Sequence, residues 1–218
     1  QYDEEGRVSS KRYYNIFNAP SYHKKGYHHV TYDYDEYGNL CIESFFNVDN
    51  QPCRNADGIA RIVREYDSHH NCIRESYYAP DCTPCVHQTT RISSISRIYD
   101  ITNNLLREQY HGMDGSPCPC KNGYVIRTWE YDDAGRVVAE EYHDIDDKLC
   151  DNEKGYAGEY WEYDKQGNVI PKAISQRAFF KPTLDANKPP IINHAVFFIS
   201  SLTKNSIIMQ RYNFSVNL

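Results

Sequence analysis

The sequence has no long hydrophobic run and no surplus of basic charge, and each of these lacks removes a class of function. A basic-then-apolar leader is missing too, which says little about secretion in a chain that opens within a repeat. No stretch approaches the roughly 20 apolar residues a membrane-spanning helix needs, so no membrane span is expected. Lys and Arg number 24 against 30 Asp and Glu, for a formal net charge of −6. A protein that binds phosphate backbones displaces counterions with clustered cations, so nucleic acid is not an expected partner. Also missing are a Ser-centred nucleophile elbow, a Gly-rich phosphate loop and an HExxH zinc motif. The expectation is therefore a protein that is not an enzyme, has no catalytic residues and needs no cofactor. The chain opens at Gln1 directly onto Tyr2-Asp3, the head of a repeated unit, which reads as a processed product or a piece of something longer.

What the sequence does hold is tyrosine: 20 Tyr, 8 Phe and 2 Trp in a chain whose mean hydropathy is −0.76. That mixture suits half-exposed strands. The stretch YDEYGNLCIESFF, from Tyr34, returns as YDSHHNCIRESYY, YDITNNLLREQYH and YDDAGRVVAEEYH. The Tyr-Asp pair falls at Tyr2, Tyr34, Tyr66, Tyr99, Tyr131 and Tyr163, with spacings of 32, 32, 33, 32 and 32. Four residues past each Tyr stands Gly6, Gly38, His70, Asn103, Gly135 or Gly167. Gly and Asn tolerate the positive φ of tight hairpins. Apolar residues follow at Val8, Leu40, Cys72, Leu105, Val137 and Val169, then aromatics at Tyr13, Phe45, Tyr77, Tyr110 and Tyr142. This pattern predicts a strand.

A loop of about ten residues comes next, and a second strand then runs from Tyr27, Ile59, Ile92, Tyr124 or Tyr156 into the following Tyr-Asp. Each unit is thus strand, long loop, strand, tight turn. The punctuation leaves no segment long enough for helical periodicity. The fold class expected is all-β: tandem β-hairpin repeats of 32 to 33 residues in an elongated meander or solenoid-like array, each unit burying its face on its neighbours. Residues 1–170 hold five units and a half-unit. Pro171 breaks the sixth, and residues 171–218, sharing no repeat column, are expected to be a cap or an assembly strand through HAVFFISSL and NSIIMQRYNFSVNL.

The string YD-x-x-G-[NR]-[LV], present as YDEYGNL, YDDAGRV, YDEEGRV and YDKQGNV, resembles the YD repeats of the RHS and teneurin type. It resembles most the longer bacterial variant with a DGxPC…GYA segment, here MDGSPCPCKNGYV and IDDKLCDNEKGYA. The resemblance implies a β-rich scaffold, a surface protein or a toxin-delivery component, hence binding or packaging. The chain departs from RHS shells in lacking an Asp-Pro autocleavage segment, and about ten strands fall short of enclosing a cargo.

Four sets of residues invite chemistry. Cys82, Cys85, Cys118 and Cys120 have near-ligand spacing for zinc, and Cys82 with Cys120 could bridge adjacent loops. Against both, Cys85 and Cys118 share a repeat column with Cys53 and Cys150, as small buried side chains would. Glu43, Glu75, Glu108 and Glu140 form an acidic column; glycoside hydrolysis needs one unequal pair of acids, whereas a repeated column suits an Arg-paired ladder. His111 and His143 share a column with Tyr14, Phe46 and Tyr78, as rim rings would. Tyr32, Trp129 and Trp161, with Tyr77, Tyr110 and Tyr142, could grip a peptide or stack on sugars, or could simply be core. The binding residues named are these six aromatics with Glu75, Glu108 and Glu140. The function expected is a non-catalytic scaffold or binding module, extracellular or at a cell surface, engaging a protein or glycan surface and able to self-assemble by edge-strand pairing. The alternatives are a fragment of an RHS-like toxin shell or, less favoured, a carbohydrate-active enzyme.

Overall fold

The structure, a computed structural model, describes residues 1–170. The cap or assembly strand expected in 171–218 lies outside the described residues.

The described residues form twelve strands and no helix: β1 (Ser10–Arg12), β2 (His29–Tyr34), β3 (Leu40–Phe46), β4 (Arg61–Tyr66), β5 (Cys72–Tyr78), β6 (Ser94–Tyr99), β7 (Leu105–His111), β8 (Ile126–Tyr131), β9 (Val137–His143), β10 (Gly158–Tyr160), β11 (Glu162–Tyr163) and β12 (Val169–Ile170). Strands β1 to β10 make one antiparallel sheet in sequence order, an open meander with β1 and β10 at its sides, while β11 and β12 pair separately. The all-β hairpin array read from the repeat is the observed fold.

The long loop between hairpins has more order than the sequence suggests. It contains two further turns of the same build as the Tyr-Asp turn, so each unit carries three. In the first, Asp35 N–H donates to Asn39 O at 3.0 Å, and Gly38 N–H returns to Asp35 O at 3.1 Å. The second repeats this from Asn47 to Gln51, and the third from Asn55 to Ile59. The fourth position of each turn has positive φ, at Gly38, Asn50 and Gly58 in that unit and at His70 and Cys82 in the next, whose longer third turn has it at the fifth, Arg91. The extra residue of the third unit lies within its third turn, where His87 N–H reaches Ile92 O.

This geometry explains the Tyr-Asp pair. The aspartate is a turn cap: Asp35 Oδ1 accepts Asn39 N–H at 2.8 Å and its Oδ2 accepts Asn39 Nδ2 at 2.8 Å. Arg136 replaces the amide with a guanidinium on Asp132. That is why Asn or Arg follows the Gly. Partial burial raises the Asp35, Asp67 and Asp100 carboxyls, but the hydrogen bonds from Asn39, Asn71 and Asn104 outweigh it and leave all three lowered.

The tyrosine ties units together. Tyr34, Tyr66, Tyr99, Tyr131 and Tyr163 each donate a hydroxyl to a carbonyl one unit upstream, on Val8, Leu40, Cys72, Leu105 and Val137, at 2.8 to 3.2 Å. Replacing Tyr66 with Phe should cost about 1 kcal/mol, the net worth of one such bond, in urea denaturation. Tyr37→Phe, at an exposed turn position, should change nothing measurable.

The core is a single interleaved row. Tyr13, Tyr27 and Phe45 stack at 5.8 and 4.8 Å; Ile59 and Ile92 fill the middle; Tyr110, Tyr124, Tyr142 and Tyr156 continue at 5.8, 4.6 and 6.1 Å. The third turns fold over this row and bond to one another through Ala56 N–H to Lys25 O, Gln88 N–H to Asp57 O, Lys121 N–H to Thr90 O and Glu153 N–H to Asn122 O, at 2.7 to 2.9 Å. Each unit is therefore a wall of its neighbours' core.

Candidate functional site

Strand alternation places the acidic column and the core aromatics on one sheet face, since Glu43 and Phe45, or Glu75 and Tyr77, are two residues apart. Opposite each glutamate in register stands Tyr32, Arg64, Arg97 or Trp129. The acids are paired there: Arg64 Nε to Glu75 at 2.7 Å with Nη2 3.6 Å from Glu43, Arg97 Nε to Glu108 at 2.8 Å, and Arg127 Nη2 to Glu140 at 2.7 Å. Where Trp129 takes the arginine's place, its Nε1 donates to Glu140 at 3.2 Å and Arg127 stacks on its ring at 4.7 Å. Lys11, which replaces the first glutamate, lies 5.4 Å over the Tyr32 ring.

Tyr77, Tyr110 and Tyr142, named above as binding candidates, are buried and donate their hydroxyls to Glu75, Glu108 and Glu140 two residues before them. Their ring faces belong to the core. Burial, reinforced by the adjacent carboxylates, pushes all three phenols up. Tyr32, half-buried beside Glu43, is pushed up to about 12 for the same reasons in the same order. Burial would raise Glu75 and Glu140, but hydrogen bonds from Tyr77 and Arg64, and from Arg127, Tyr142 and Trp129, outweigh it and hold both carboxyls below the usual value. Trp161 is half-buried between β10 and β11, its backbone N–H donating to Val138 O.

Two open grooves occupy equivalent places on this face. One, of about 250 Å³, is lined by Glu43, Arg64 and Glu75 together with Lys25, Asp57 and His87. The other, of about 330 Å³, is lined by Arg127, Glu140 and Glu159 together with Glu153 and Lys154. Both are polar and bear both signs of charge, as a peptide or sugar groove would.

The cysteines do not form a centre. No three His, Cys, Asp or Glu side chains converge as ligands among the described residues, and Cys82 and Cys120 are free thiols. The reason is that both belong to the repeat after all. Cys82 holds the positive-φ place of Asn18, Asn50, Gly115 and Asp147, and Cys120 holds the turn-opening place of His23, Asn55, His87 and Asn152. Cys85 is buried, Cys53, Cys118 and Cys150 pack against the core, and burial raises the Cys85 and Cys118 thiols, which disfavours the thiolates zinc requires. The double change Cys82→Ser, Cys120→Ser should leave the melting temperature within about 2 °C under reducing and oxidising conditions alike. A drop confined to oxidising conditions would restore the disulfide.

On the opposite face His111 Nε2 meets Ser96 Oγ at 2.9 Å and His143 Nε2 meets Thr128 Oγ1 at 3.0 Å, rim contacts repeated one unit apart.

No protein-family model matches the chain, and no curated protein matches it. Among solved structures it is similar to the complex TcdB2-TccC3-Cdc42, at 14% identity over 78% of this chain with a TM-score of 0.36. It is also similar to the Tc holotoxin pore of Photorhabdus luminescens, at 14% identity over 82% of this chain with a TM-score of 0.35. The chain spans 10% of the length of each of these chains.

Proposed function

We propose that this chain is a non-catalytic repeat scaffold that presents a surface to a protein or glycan partner, outside the cell or at its surface. The observation that supports it is where the reactive side chains are spent. The Tyr-Asp pairs cap turns and join units, the glutamates hold arginines and core phenols, and the cysteine column packs. Hydrolysis by paired acids needs one carboxyl held protonated beside an ionised one, whereas Glu75 and Glu140 are both held below the usual carboxyl value.

A second reading, a wall segment of an RHS-like toxin shell, is favoured by the junctions. Each tyrosine hydroxyl bond and each third-turn bond recurs at the same address, so the wall is extended by copying a unit.

Deleting one unit in register, residues 34–65, tests the scaffold. The shortened chain should keep its strand circular dichroism and unfold with a proportionally smaller denaturant slope. Turnover of a panel of nitrophenyl glycosides that is lost in Glu140→Gln would overturn the non-catalytic reading.

A further inference from the structure

The three turns of a unit share one geometry but not one use. First turns reach the next unit through Asn39 Nδ2 to His70 at 3.1 Å and Asn71 Nδ2 to Asn103 at 2.9 Å, and third turns bond backbone to backbone. Second turns instead bond to strands, as His29 does to Asn50 at 2.9 Å and Arg107 to Asp147 at 3.0 Å, and their tips face solvent.

The second position of those tips is apolar in every unit: Ile16 (92% exposed), Val48 (39%), Pro80, Met113 (59%) and Ile145 (62%). The turn geometry does not ask for this. The same position in third turns is Lys24, Ala56, Gln88, Lys121 and Glu153, and in first turns it runs from Glu4 to Lys165 with one apolar residue, Ile101. Pro80 suits its place through its preset φ, but neither packing nor turn chemistry explains exposed Ile16, Val48, Met113 and Ile145 at the same address. Next to it the third position is acidic in four units, Asp49, Asp81, Asp114 and Asp146. Asp81 and Asp114 accept N–H groups of their own turns, at 3.1 and 3.0 Å, while all four remain exposed.

The wider field has the same sign. Residues 171–218 hold six Lys or Arg against one Asp, so the chain's −6 leaves −11 on residues 1–170. Two strands per unit set successive tips about 10 Å apart. Three residues of a polyproline-type chain advance about 9 Å and return to one face.

We propose that the row of second turns is a docking surface for a cationic, apolar polypeptide segment, extended along the array with one large apolar side chain per unit and lysines or arginines against the aspartates. This deepens the scaffold reading and rests on it. Charge complementarity selects the partner: anionic lipid and nucleic acid are repelled by a surface of this sign, whereas an apolar row flanked by acids matches an apolar segment flanked by bases.

The test is fluorescence anisotropy of the full chain with a labelled peptide of repeated Leu-Lys-Pro triplets. Binding should weaken at least about tenfold in the triple variant Val48→Ser, Met113→Ser, Ile145→Ser, and should be unchanged in Ile101→Ser, an exposed apolar tip outside the row. A Leu-Glu-Pro peptide should not bind, and added salt should weaken the Leu-Lys-Pro complex. Equal binding by the triple variant, or equal binding of a Ser-Lys-Pro peptide, would overturn the proposal as unspecific attraction to a polyanion. Absence of binding together with self-association that the triple variant abolishes would overturn it in favour of a second copy. Those failures leave the scaffold reading standing, whereas glycoside turnover would overturn that reading without touching the binding result. All the substituted side chains are exposed, so unchanged circular dichroism is expected in each variant.

Discussion

Ile92→Ala should lower the stability of the array by about 2–5 kcal/mol, the range for truncating a fully buried isoleucine. Ile92 is 1% exposed and sits, with Ile59, where the aromatic row gives way to aliphatic side chains. The loss combines transfer of the removed carbons with a cavity the surroundings fill only in part. Position adds a second effect. In an array, stability is a sum of unit terms and neighbour terms, so weakening a central unit uncouples the halves on either side. Urea denaturation should therefore lose cooperativity as well as midpoint, giving a shallower or two-stage transition where the parent gives one. The gentler Ile59→Val should cost about 0.5–1.5 kcal/mol and keep one transition. A loss below about 1 kcal/mol for Ile92→Ala would mean the row is not the continuous core described, because no well-packed isoleucine is that cheap to remove.

The sheet was legible because its two signals recur in every unit: Tyr-Asp at a spacing of 32 or 33, and an apolar column after each turn. The second and third turns were not, because their marker residues vary. Ala79 and Gly112 open second turns without a capping side chain, and Asp81 and Asp114, two residues on, supply the acceptor instead. Cys82, Arg91 and Asp147 take positive φ without being glycine. A reader counting glycines sees no turn there, and so sees stray cysteines that look like ligands. The glutamate pairing was half legible. The column itself was plain, but its cation comes from two different columns, Arg64 and Arg97 directly opposite in register and Arg127 from two residues earlier on its strand. The repeat columns already align Trp129 with Arg64 and Arg97; strand register adds that this position faces the glutamate, and the side-chain contacts that Arg127 supplies the missing cation. The row of exposed second-turn tips escaped sequence reading for a related reason: apolar residues in a strand-rich repeat are assumed to be inside until exposure says otherwise.

Glu140 carries the heaviest polar load, so Glu140→Ala should cost about 3–5 kcal/mol, more than any single hydrogen bond. Its carboxylate, 8% exposed, accepts from Arg127, Trp129 and Tyr142 at once, and truncation strands a half-buried guanidinium and two donors. Glu140→Gln keeps the volume and an acceptor but not the charge, and should cost less. The pH dependence separates charge from shape. Glu140 has a folded-state pKa below its usual 4.5, despite burial that alone would raise it, because Arg127 and the Tyr142 and Trp129 donors favour the ionised form. A lowered carboxyl stabilises the fold fully above the unfolded value and loses that contribution as pH falls through the folded one. The stability gap between the parent and Glu140→Gln should thus be constant from pH 7 to about 5 and shrink below about 4.5. His29 and His111, whose pKa values are lowered chiefly by burial, weaken both proteins together as pH drops below 6.5, so they cancel in the difference. The capping aspartates act later and cancel likewise. Chemical denaturation of the pair at half-unit pH steps would measure the gap directly. A gap that stays level down to pH 3 would show that Glu140 acts by shape alone, and that the Arg–Glu ladder adds no charge-dependent stability to the sheet.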